Sequence, residues 1–331
     1  MPWSERAAEA ERAVCARHLA RVWGLPGTVL GLPAWPPAGR QRLHRPWHYW
    51  WNAHLLDCLA DAQLRAPGPE RPVTIARLVR SIRLRNRGRW TKDYYDDMAW
   101  LALALQRIGE REPVRILLGA VWEGWSVDAG GGIRWRIGDS FKNAPTNGPA
   151  AIAFARAGEL EKARKLFAWL ENRLVDPDTG LVHDGVRADT GECVEEIFTY
   201  CQGVFLGLCL ELSEVEAAER TVRAVAAHLA PGGVLRGQGG GDGGLFAGIL
   251  ARYLALAAIR LPKGPAADVA AELVLDSASA CWRGAAPAEH GPLFGPEWTE
   301  KVELPPKGPA RDLSVQLGAW LLLEAAAVLD P

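Results

Sequence analysis

Two adjacent carboxylates, Asp96 and Asp97, are the strongest chemical feature of the sequence. They lie among aromatic residues in positions 94–100, at the start of a strongly apolar run with helical spacing. A pair of carboxylates is the smallest set of side chains that can cleave a glycosidic bond, and aromatic rings are the surfaces on which sugar rings stack. This segment therefore favours carbohydrate chemistry.

Such chemistry requires two carboxyl groups that differ in charge. One must be ionised to attack the anomeric carbon or to activate water, and the other must be protonated to release the leaving oxygen. Neighbouring residues on a helix project about 100° apart, so the spacing does not show which group does which. A structural interpretation is also open, because Asp is favoured in the first turn of a helix as a cap or as a balance to the helix dipole. The flanking aromatic residues favour the functional interpretation.

Long apolar helices recur along the chain, and an amphipathic helix has room to follow each of them. The predicted starts of the apolar helices lie near Trp47, Tyr94, Asn143, Thr199, Gly243 and Asp312. Clear amphipathic helices are predicted over residues 159–174 and 213–229. A helix that is apolar all round must be buried, whereas a one-faced helix can shield it from water. The pattern predicts an all-α fold, an (α/α)6 barrel of six inner and six outer helices, as a single domain over residues 1–331.

The loops and helix starts of this barrel suggest where a ligand binds. Residues 128–135 and 176–185 combine apolar positions with turn residues, so short β-hairpin loops are predicted there. Inner helices of such a barrel run parallel, and their N-termini gather at one end. The polar and aromatic residues of the apolar helices are concentrated at those N-termini, among them Trp51, Tyr95, Asn143, Asn147, Tyr200 and Gln202. A sugar-binding cleft at this end is predicted.

Charge and composition argue against several classes of partner. The formal net charge is −1, whereas nucleic-acid binding normally shows as a basic surplus. The basic residues 77–89 have no interleaved aromatic pattern and are interpreted as a solvated helix face. We find no apolar stretch long enough to span a bilayer and expect no membrane partner. The N-terminus lacks the apolar region of a secretion signal, which predicts a cytoplasmic protein, and a monomer is expected.

Two motifs resemble ligand sites but lack the required context. Residues 239–244 match G-x-G-x-x-G, yet no βαβ unit surrounds them and no acidic residue follows about 20 positions later. The group Asp176, Asp178 and Asp184 lacks the order and the terminal Glu of an EF-hand, so a turn stabilised by Asp side chains is predicted. The six cysteines form no zinc-binding pattern with each other or with His. No metal or organic cofactor is expected.

An ordered series of motifs resembles glycoside hydrolase family 76, the endo-α-1,6-mannanases. The series is Tyr95-Asp96-Asp97 with Trp100, Gly131-Gly132-Ile133 with Trp135, Lys142-Asn143 with Thr146-Asn147, Thr199-Tyr200 with Gln202-Gly203, and Gly244-Leu245-Phe246 with Gly248-Ile249 and Arg252. It extends from about residue 47 to residue 323. The resemblance implies an (α/α)6 barrel and a retaining double displacement on α-1,6-linked mannose, with Asp96 as nucleophile and Asp97 as general acid/base. The sequence departs from the family at Cys201, where Asn is usual.

The predicted function is that of a retaining glycoside hydrolase that cleaves α-1,6-mannosidic linkages in mannan or manno-oligosaccharides. The side chains expected to contact the sugar are Trp51, Tyr95, Trp135, Asn143, Asn147, Tyr200, Gln202 and Phe246. Two alternatives stay open. One is another (α/α)6 carbohydrate-active enzyme, such as a different glycosidase, a transglycosylase or an epimerase. The other is a non-catalytic mannoside-binding toroid, which the presence of Cys201 motivates.

Overall fold

The computed structural model describes residues 1–330, and α-helices dominate it. The helices are α1 (Trp3–His18), α2 (Tyr49–Arg65), α3 (Glu70–Arg85), α4 (Tyr95–Arg107), α5 (Arg111–Glu123), α6 (Ala144–Arg156), α7 (Leu160–Arg173), α8 (Thr199–Leu212), α9 (Val215–His228), α10 (Gly243–Arg260), α11 (Pro265–Gly284) and α12 (Leu313–Leu329). All six predicted apolar helices are present as α2, α4, α6, α8, α10 and α12, and each begins at or just after its predicted start. The prediction of an all-α chain is confirmed.

Short strands connect the helices and form three small antiparallel sheets. The strands are β1 (Leu19–Ala20), β2 (Leu30–Gly31), β3 (Phe141–Asn143), β4 (Gly185–Arg187), β5 (Cys193–Val194), β6 (Ala286–Ala288) and β7 (Gly291–Leu293). Strands β1 and β2 pair, β6 and β7 pair, and β3, β4 and β5 form a three-stranded sheet.

The two loops predicted as β-hairpins are each closed by a single β-bridge rather than by a ladder. The bridges join Trp125 to Ile133 and Val175 to Val182. In the first loop, the consecutive glycines 130–132 all have positive φ. Extended strands need negative φ, so these glycines turn the chain where a strand would otherwise form. The regular strand pairing lies further along the chain, between β3 and β4.

The chain packs into two compact units. The first contains Met1–Arg89, Ala230–Ala255 and the residues from Ala271 onward, and the second contains Trp90–Leu229 and Leu256–Ala270. Helices α10 and α11 contribute residues to both units. The single-domain organisation stays a prediction.

In the first unit, α12 is the central helix and packs against α1 and α2. It buries every residue from Leu313 to Ala327, as expected of an inner helix. The sequence pattern placed an amphipathic helix after each apolar one. For α12 the amphipathic partner is instead α1, which is far from it in sequence.

Helix α10 also packs as a core helix. It is long and apolar enough to cross a membrane, with a mean hydropathy of 1.4, but 61% of it is buried inside the protein. The expectation that no stretch has this length and hydropathy is therefore wrong. A Cβ atom on Gly248 of this helix would lie 2.4 Å from the carbonyl oxygen of Gly318 on α12. The two backbones are in contact there, and the close approach explains both glycines.

The second unit alternates inner and outer helices as predicted. Helix α4 packs against α6 and α6 against α8, while α5, α7 and α9 each pack against the preceding inner helix. Helix α8 buries eleven of its fourteen residues, and α9 buries six of fourteen. The difference matches an inner helix apolar all round and an outer helix with one apolar face.

Candidate active site

The two aspartates lie in the first turn of α4. Asp96 and Asp97 follow the first helical residue, Tyr95, where the unpaired backbone N–H groups of the helix favour negative charge. The backbone N–H of Asp97 donates to Asp96 Oδ1 at 2.8 Å. The indole Nε1–H of Trp135 donates to Asp96 Oδ2 at 2.9 Å. Both oxygens of Asp96 are therefore held by N–H donors, which fixes the plane of this carboxyl group.

The two carboxyl groups have different electrostatic surroundings. Lys92 Nζ lies 2.5 Å from Asp97 Oδ2, so a cation balances Asp97 directly. Burial and the charge of Asp97 raise the pKa of Asp96 to about 8, against the lowering effects of its N–H donors and of Lys92. Adjacent carboxyl groups titrate as a pair. The two carboxyl groups therefore differ in their affinity for a proton, as the two carboxyl groups of a glycosidase must.

Backbone hydrogen bonds place the Trp135 indole against Asp96. The N–H of Tyr95 donates to the carbonyl of Trp135 at 2.9 Å, and the N–H of Trp135 donates to the carbonyl of Phe141 at 2.7 Å. Two residues before Trp135, the side chain of Asn147 forms hydrogen bonds with both the N–H and the carbonyl of Ile133. Trp135 is thus attached to the start of α4 and to β3. Its observed role is to orient Asp96.

Asn147 holds a loop rather than facing a ligand. Its Oδ1 accepts the N–H of Ile133 at 2.7 Å, and its Nδ2 donates to the carbonyls of Ile133 at 2.9 Å and Asn143 at 2.8 Å. The residue is fully buried. Both amide hydrogens are used, so the prediction that Asn147 binds a sugar hydroxyl is corrected to a structural role.

Gln202 makes the same arrangement on α8. Its Oε1 accepts the N–H of Val182 at 2.7 Å, and its Nε2 donates to the carbonyls of Val182 at 2.8 Å and Phe198 at 3.0 Å. This residue is also fully buried, and its predicted sugar contact is corrected in the same way. Comparable amides on α2 and α12 are Asn52, which binds Gly31, and Gln316, which binds Phe294. We call these four side chains the amide clamps.

The other predicted residues of the second unit divide into three cases. The Tyr95 ring lies against Gly124, where a Cβ atom would be 2.7 Å from it, so Tyr95 packs on the end of α5 and its predicted sugar stacking is not supported. Asn143 Oδ1 accepts the hydroxyl of Thr146 at 2.5 Å. This bond leaves the amide hydrogens of Asn143 for a ligand. Tyr200 is half-buried, and its sugar contact stays a prediction.

A buried lysine fixes the loop before Trp135. Lys142 is fully buried, and its Nζ donates to the carbonyls of Ser126 at 3.0 Å, Asp128 at 2.7 Å and Gly131 at 2.8 Å. Burial lowers the pKa of Lys142 to about 8. In the sequence, Lys142 stands out only as part of the Lys142-Asn143 motif. Its anchoring role depends on the glycine-rich turn, which sequence spacing does not reveal.

Asp184 is a third carboxyl group that sequence analysis assigned only to a turn. It directly precedes β4, and its carbonyl accepts the N–H of Ala144 at the start of α6 at 2.8 Å. Burial and the charge of Glu196 raise its pKa to about 6. The buried Cys201 thiol is a weak donor to Asp184 Oδ1, with Sγ and Oδ1 3.9 Å apart. Asp184 is therefore a candidate ligand-contacting acid, and only the strand pairing reveals its position.

The aspartate motif at residues 176–184 contains the predicted turn. Asp176 Oδ1 accepts the backbone N–H groups of Asp178 at 2.9 Å and Thr179 at 2.7 Å. This confirms a turn stabilised by an Asp side chain. Within residues 1–330 no group of three or more His, Cys, Asp or Glu side chains is arranged to hold a metal ion.

The first unit has its own aromatic cluster, which contains Trp51 and Phe246. Trp51 is buried, stacks on the His48 ring at a centroid distance of 3.7 Å and donates its N–H to Asp242 Oδ1 at 2.8 Å. Its predicted sugar stacking is not supported, because one face is covered. The indole N–H of the half-buried Trp50 donates to the same Asp242 oxygen at 3.0 Å, and the Trp50 and Phe246 ring centroids are 6.3 Å apart. Trp50 is the better candidate for a sugar contact, while that of Phe246, which is buried, stays a prediction.

Comparison with known proteins identifies close relatives of this fold and site. The family model described as Glycosyl hydrolase family 76 matches residues 8–327. The structure of the GH76A α-1,6-mannanase from Salegentibacter sp. HEL1_6 is 32% identical over 99% of each chain, with a TM-score of 0.87. A variant of that enzyme, inactive with two consecutive aspartates replaced by asparagine, is bound to α-1,6-mannotriose and matches with the same identity, coverage and TM-score. The Lin0763 protein from Listeria innocua is 29% identical over 99% of this chain and 98% of its own, with a TM-score of 0.88.

The comparison with curated proteins found no match. The agreement with the solved structures extends over nearly the whole chain and confirms the predicted fold class. The family model covers every motif on which the resemblance was based. The protein is a member of glycoside hydrolase family 76.

Proposed function

We propose that this protein hydrolyses α-1,6-mannosidic linkages in mannan or manno-oligosaccharides with retention of anomeric configuration. The observation that carries the proposal is the pair of adjacent carboxyl groups of Asp96 and Asp97, which have unlike contacts, in a chain similar to an α-1,6-mannanase. The mannotriose complex of that relative supports a mannoside as the substrate.

In the proposed mechanism, Asp96 attacks the anomeric carbon while Asp97 protonates the departing oxygen. The two N–H donors on Asp96 support this order, because they orient its carboxylate and stabilise its charge. Once the covalent intermediate forms, Asp96 loses its charge, and the pKa of Asp97 falls. Asp97, next to Lys92, can then take a proton from water, which completes the double displacement.

The charges of the free protein favour the reverse order as the second candidate. Lys92 stabilises the ionised form of Asp97, while the raised pKa of Asp96 favours its protonated form. In that order Asp97 attacks and Asp96 donates the proton. Both orders use the same two residues, and they differ in the configuration of the product that each variant forms with an external nucleophile.

The first experiment follows cleavage of α-1,6-mannotriose by NMR, with the configuration of the initial product read from its anomeric proton. An α-configured product is expected, and Asp96→Asn and Asp97→Asn should each lower kcat by at least about 10³-fold. Asn143→Ala, which alters a neighbouring polar residue, serves as a comparison and should retain far more activity. Undiminished turnover in both Asp variants would refute the proposal.

The second experiment assigns the roles through azide rescue of Asp96→Ala and Asp97→Ala on an aryl α-1,6-mannobioside. The variant that lacks the nucleophile gives the inverted β-azide, and the variant that lacks the acid/base gives the retained α-azide. The β-azide from Asp96→Ala supports the first order, and the β-azide from Asp97→Ala establishes the second. Mannoside binding without turnover in the unmodified protein would instead select the non-catalytic alternative.

A further inference from the structure

An outer surface of the first unit brings together arginine and tryptophan side chains from two separate stretches of sequence. We call it the arginine–tryptophan surface, and it contains Trp23, Arg45, Trp47, Arg80, Arg85 and Arg87. Arg85, at the end of α3, has its Cζ 5.6 Å from the Trp23 ring centroid and 5.3 Å from that of Trp47. Its Nη2 donates to the carbonyl of His44 at 3.1 Å. These contacts join α3 to the segment that precedes α2.

A second connection extends the same surface along α3. The N–H of Val29 donates to Ser81 Oγ at 2.9 Å, and Arg80 lies against Gly27. Residues 77–89 have no interleaved aromatic residues of their own, which favoured a solvated helix face. The fold supplies Trp23 and Trp47 from elsewhere, which changes that interpretation.

The two stretches of sequence that form the surface contain no carboxylate. The sequence has no Asp or Glu between Glu11 and Asp57, and none between Glu70 and Asp93. Burial and the positive charges of Arg45 and Arg87 lower the pKa of Arg85, so the guanidinium groups repel one another. A concentration of cations in a chain of net charge −1 is the electrostatic pattern of an anion-binding face.

Exposed apolar side chains border these arginines. Trp23 is 48% exposed, Leu25 is 43% exposed and Leu43 is 52% exposed. Trp23 also has a φ of +50°, a conformation that is uncommon for a bulky residue. The chain thus holds an indole outward at a local conformational cost.

We propose that the arginine–tryptophan surface docks the protein on an anionic lipid bilayer. Guanidinium groups bind phosphates through several N–H donors, and the indole of Trp is suited to the boundary between headgroups and acyl chains. Aliphatic side chains such as Leu25 and Leu43 suit acyl chains rather than nucleic-acid bases or a hydrated polysaccharide. This docking is peripheral and needs no spanning segment, so the expectation of no membrane partner, which considered spanning segments alone, does not bear on it.

The test is vesicle flotation of the full chain at about 0.1 M NaCl, where exposed charges are only partly screened. Binding is expected to vesicles of phosphatidylglycerol in phosphatidylcholine and not to pure phosphatidylcholine. The variant Arg45→Glu/Arg87→Glu should lower the partition coefficient at least about tenfold. Trp23→Asn, which suits the positive φ, should lower it about threefold or more. Hydrolysis of soluble α-1,6-mannotriose should be unchanged in both.

A matched control reverses two exposed arginines elsewhere. Arg164→Glu/Arg236→Glu changes the net charge equally and should weaken binding much less than Arg45→Glu/Arg87→Glu. Equal weakening by the two pairs would overturn the surface assignment and leave only a net-charge effect. Failure to bind phosphatidylglycerol vesicles overturns the proposal. Binding to heparin in solution that matches vesicle binding in strength and is insensitive to Trp23→Asn overturns the lipid assignment in favour of a soluble polyanion.

Discussion

The protein contains two pairs of carboxylates on inner helices, and they differ in how a cation reaches them. Asp57 and Asp61 lie one turn apart on α2, and Arg252 of α10 binds both, with Nη1 2.8 Å from Asp57 Oδ2 and Nη2 in contact with Asp61. Asp96 and Asp97 are adjacent, and Lys92 Nζ lies 2.5 Å from Asp97 Oδ2, while the Trp135 indole and a backbone N–H donate to Asp96. The first pair is matched by one planar guanidinium, while the second leaves Asp96 with neutral donors.

Residue spacing explains the difference. Side chains four positions apart lie on the same face of a helix, so one guanidinium can bind both. Adjacent side chains diverge by about 100°, so the two carboxyl groups have different neighbours, with Lys92 at Asp97 and the Trp135 indole at Asp96. In the adjacent pair, where Lys92 contacts Asp97, the pKa of Asp96 is raised. Reactivity thus arises from incomplete charge balance, and two nearby acids alone do not create it.

The largest expected effect is on stability, when the balanced pair loses its cation. Arg252→Met should lower the free energy of unfolding by about 3–5 kcal/mol at pH 7, because the buried Asp57 and the half-buried Asp61 lose a shared cation. Protonation removes the uncompensated negative charge, so the deficit should shrink as the pH falls toward 4. Urea unfolding at several pH values measures this.

The contrasting variant Asp96→Asn should raise the free energy of unfolding by about 1–2 kcal/mol at pH 9, where the burial of a charged Asp96 is avoided. Equal losses from both changes would contradict the comparison.

A smaller effect is expected when the uneven pair loses its lysine. Lys92→Met should lower kcat/KM about 10- to 100-fold at pH 7, because the ionised state of the pair loses a cation. Without that cation the apparent pKa values rise, so the pH–rate profile should move to higher pH. Lys92→Arg keeps the charge and should restore most activity. A loss of rate with no displacement of the profile would mean that Lys92 acts through structure rather than charge.

The next prediction concerns the neutral donor to Asp96. Trp135→Phe removes the indole N–H, and a tenfold loss of kcat/KM, about 1.4 kcal/mol, is expected for a hydrogen bond to a charged group. Since this bond lowers the pKa of Asp96, its removal should raise the apparent pKa of the pair. Trp122→Phe, a change of the same size in α5, is the control. Similar profiles for the two variants would show that only packing had changed.

The smallest effect is expected at Asp184. Its raised pKa means that stability is lost as the pH rises through about 4 to 6, where the unfolded chain has already released the proton. Cys201→Asn supplies a stronger donor, lowers the pKa of Asp184 and should reduce this loss by about 1 kcal/mol or less. The measurement is the difference in unfolding free energy between pH 4 and pH 7, with Cys201→Ala as a packing control. A reduction as large in the alanine variant would argue against the hydrogen bond.

The sequence predicted the helices well because their signals are local. Apolar periodicity located all six apolar helices, including α12, whose outer partner α1 lies too far along the chain for the pattern to pair them. Helix type depends on the residues within the helix, whereas partner choice depends on long-range packing.

The site was predicted in part, and the errors share one cause. A buried structural amide and a sugar-binding amide can both stand near the start of an inner helix. The sequence alone therefore does not distinguish Asn147 and Gln202 from sugar-binding residues, because it does not show which loop backbone they contact. Trp50 and Trp51 are neighbours, and a shift of one residue decides which is covered by His48. Lys92 lies outside the helical pattern in the loop before α4, and only the folded loop brings it to Asp97.

The amide clamps have a consequence for how this architecture can diversify. In Asn147, Gln202 and Gln316 the side chain recognises the peptide group of the opposing residue, whether that residue is Ile133, Val182 or Phe294. Any residue except proline supplies the same N–H and carbonyl. A loop can therefore be exchanged for one of different length or composition while its point of attachment is kept. The helices and their amide clamps can therefore stay unchanged while the loop sequences vary. A grafted loop that keeps the clamped backbone position should be the simplest way to change the substrate specificity.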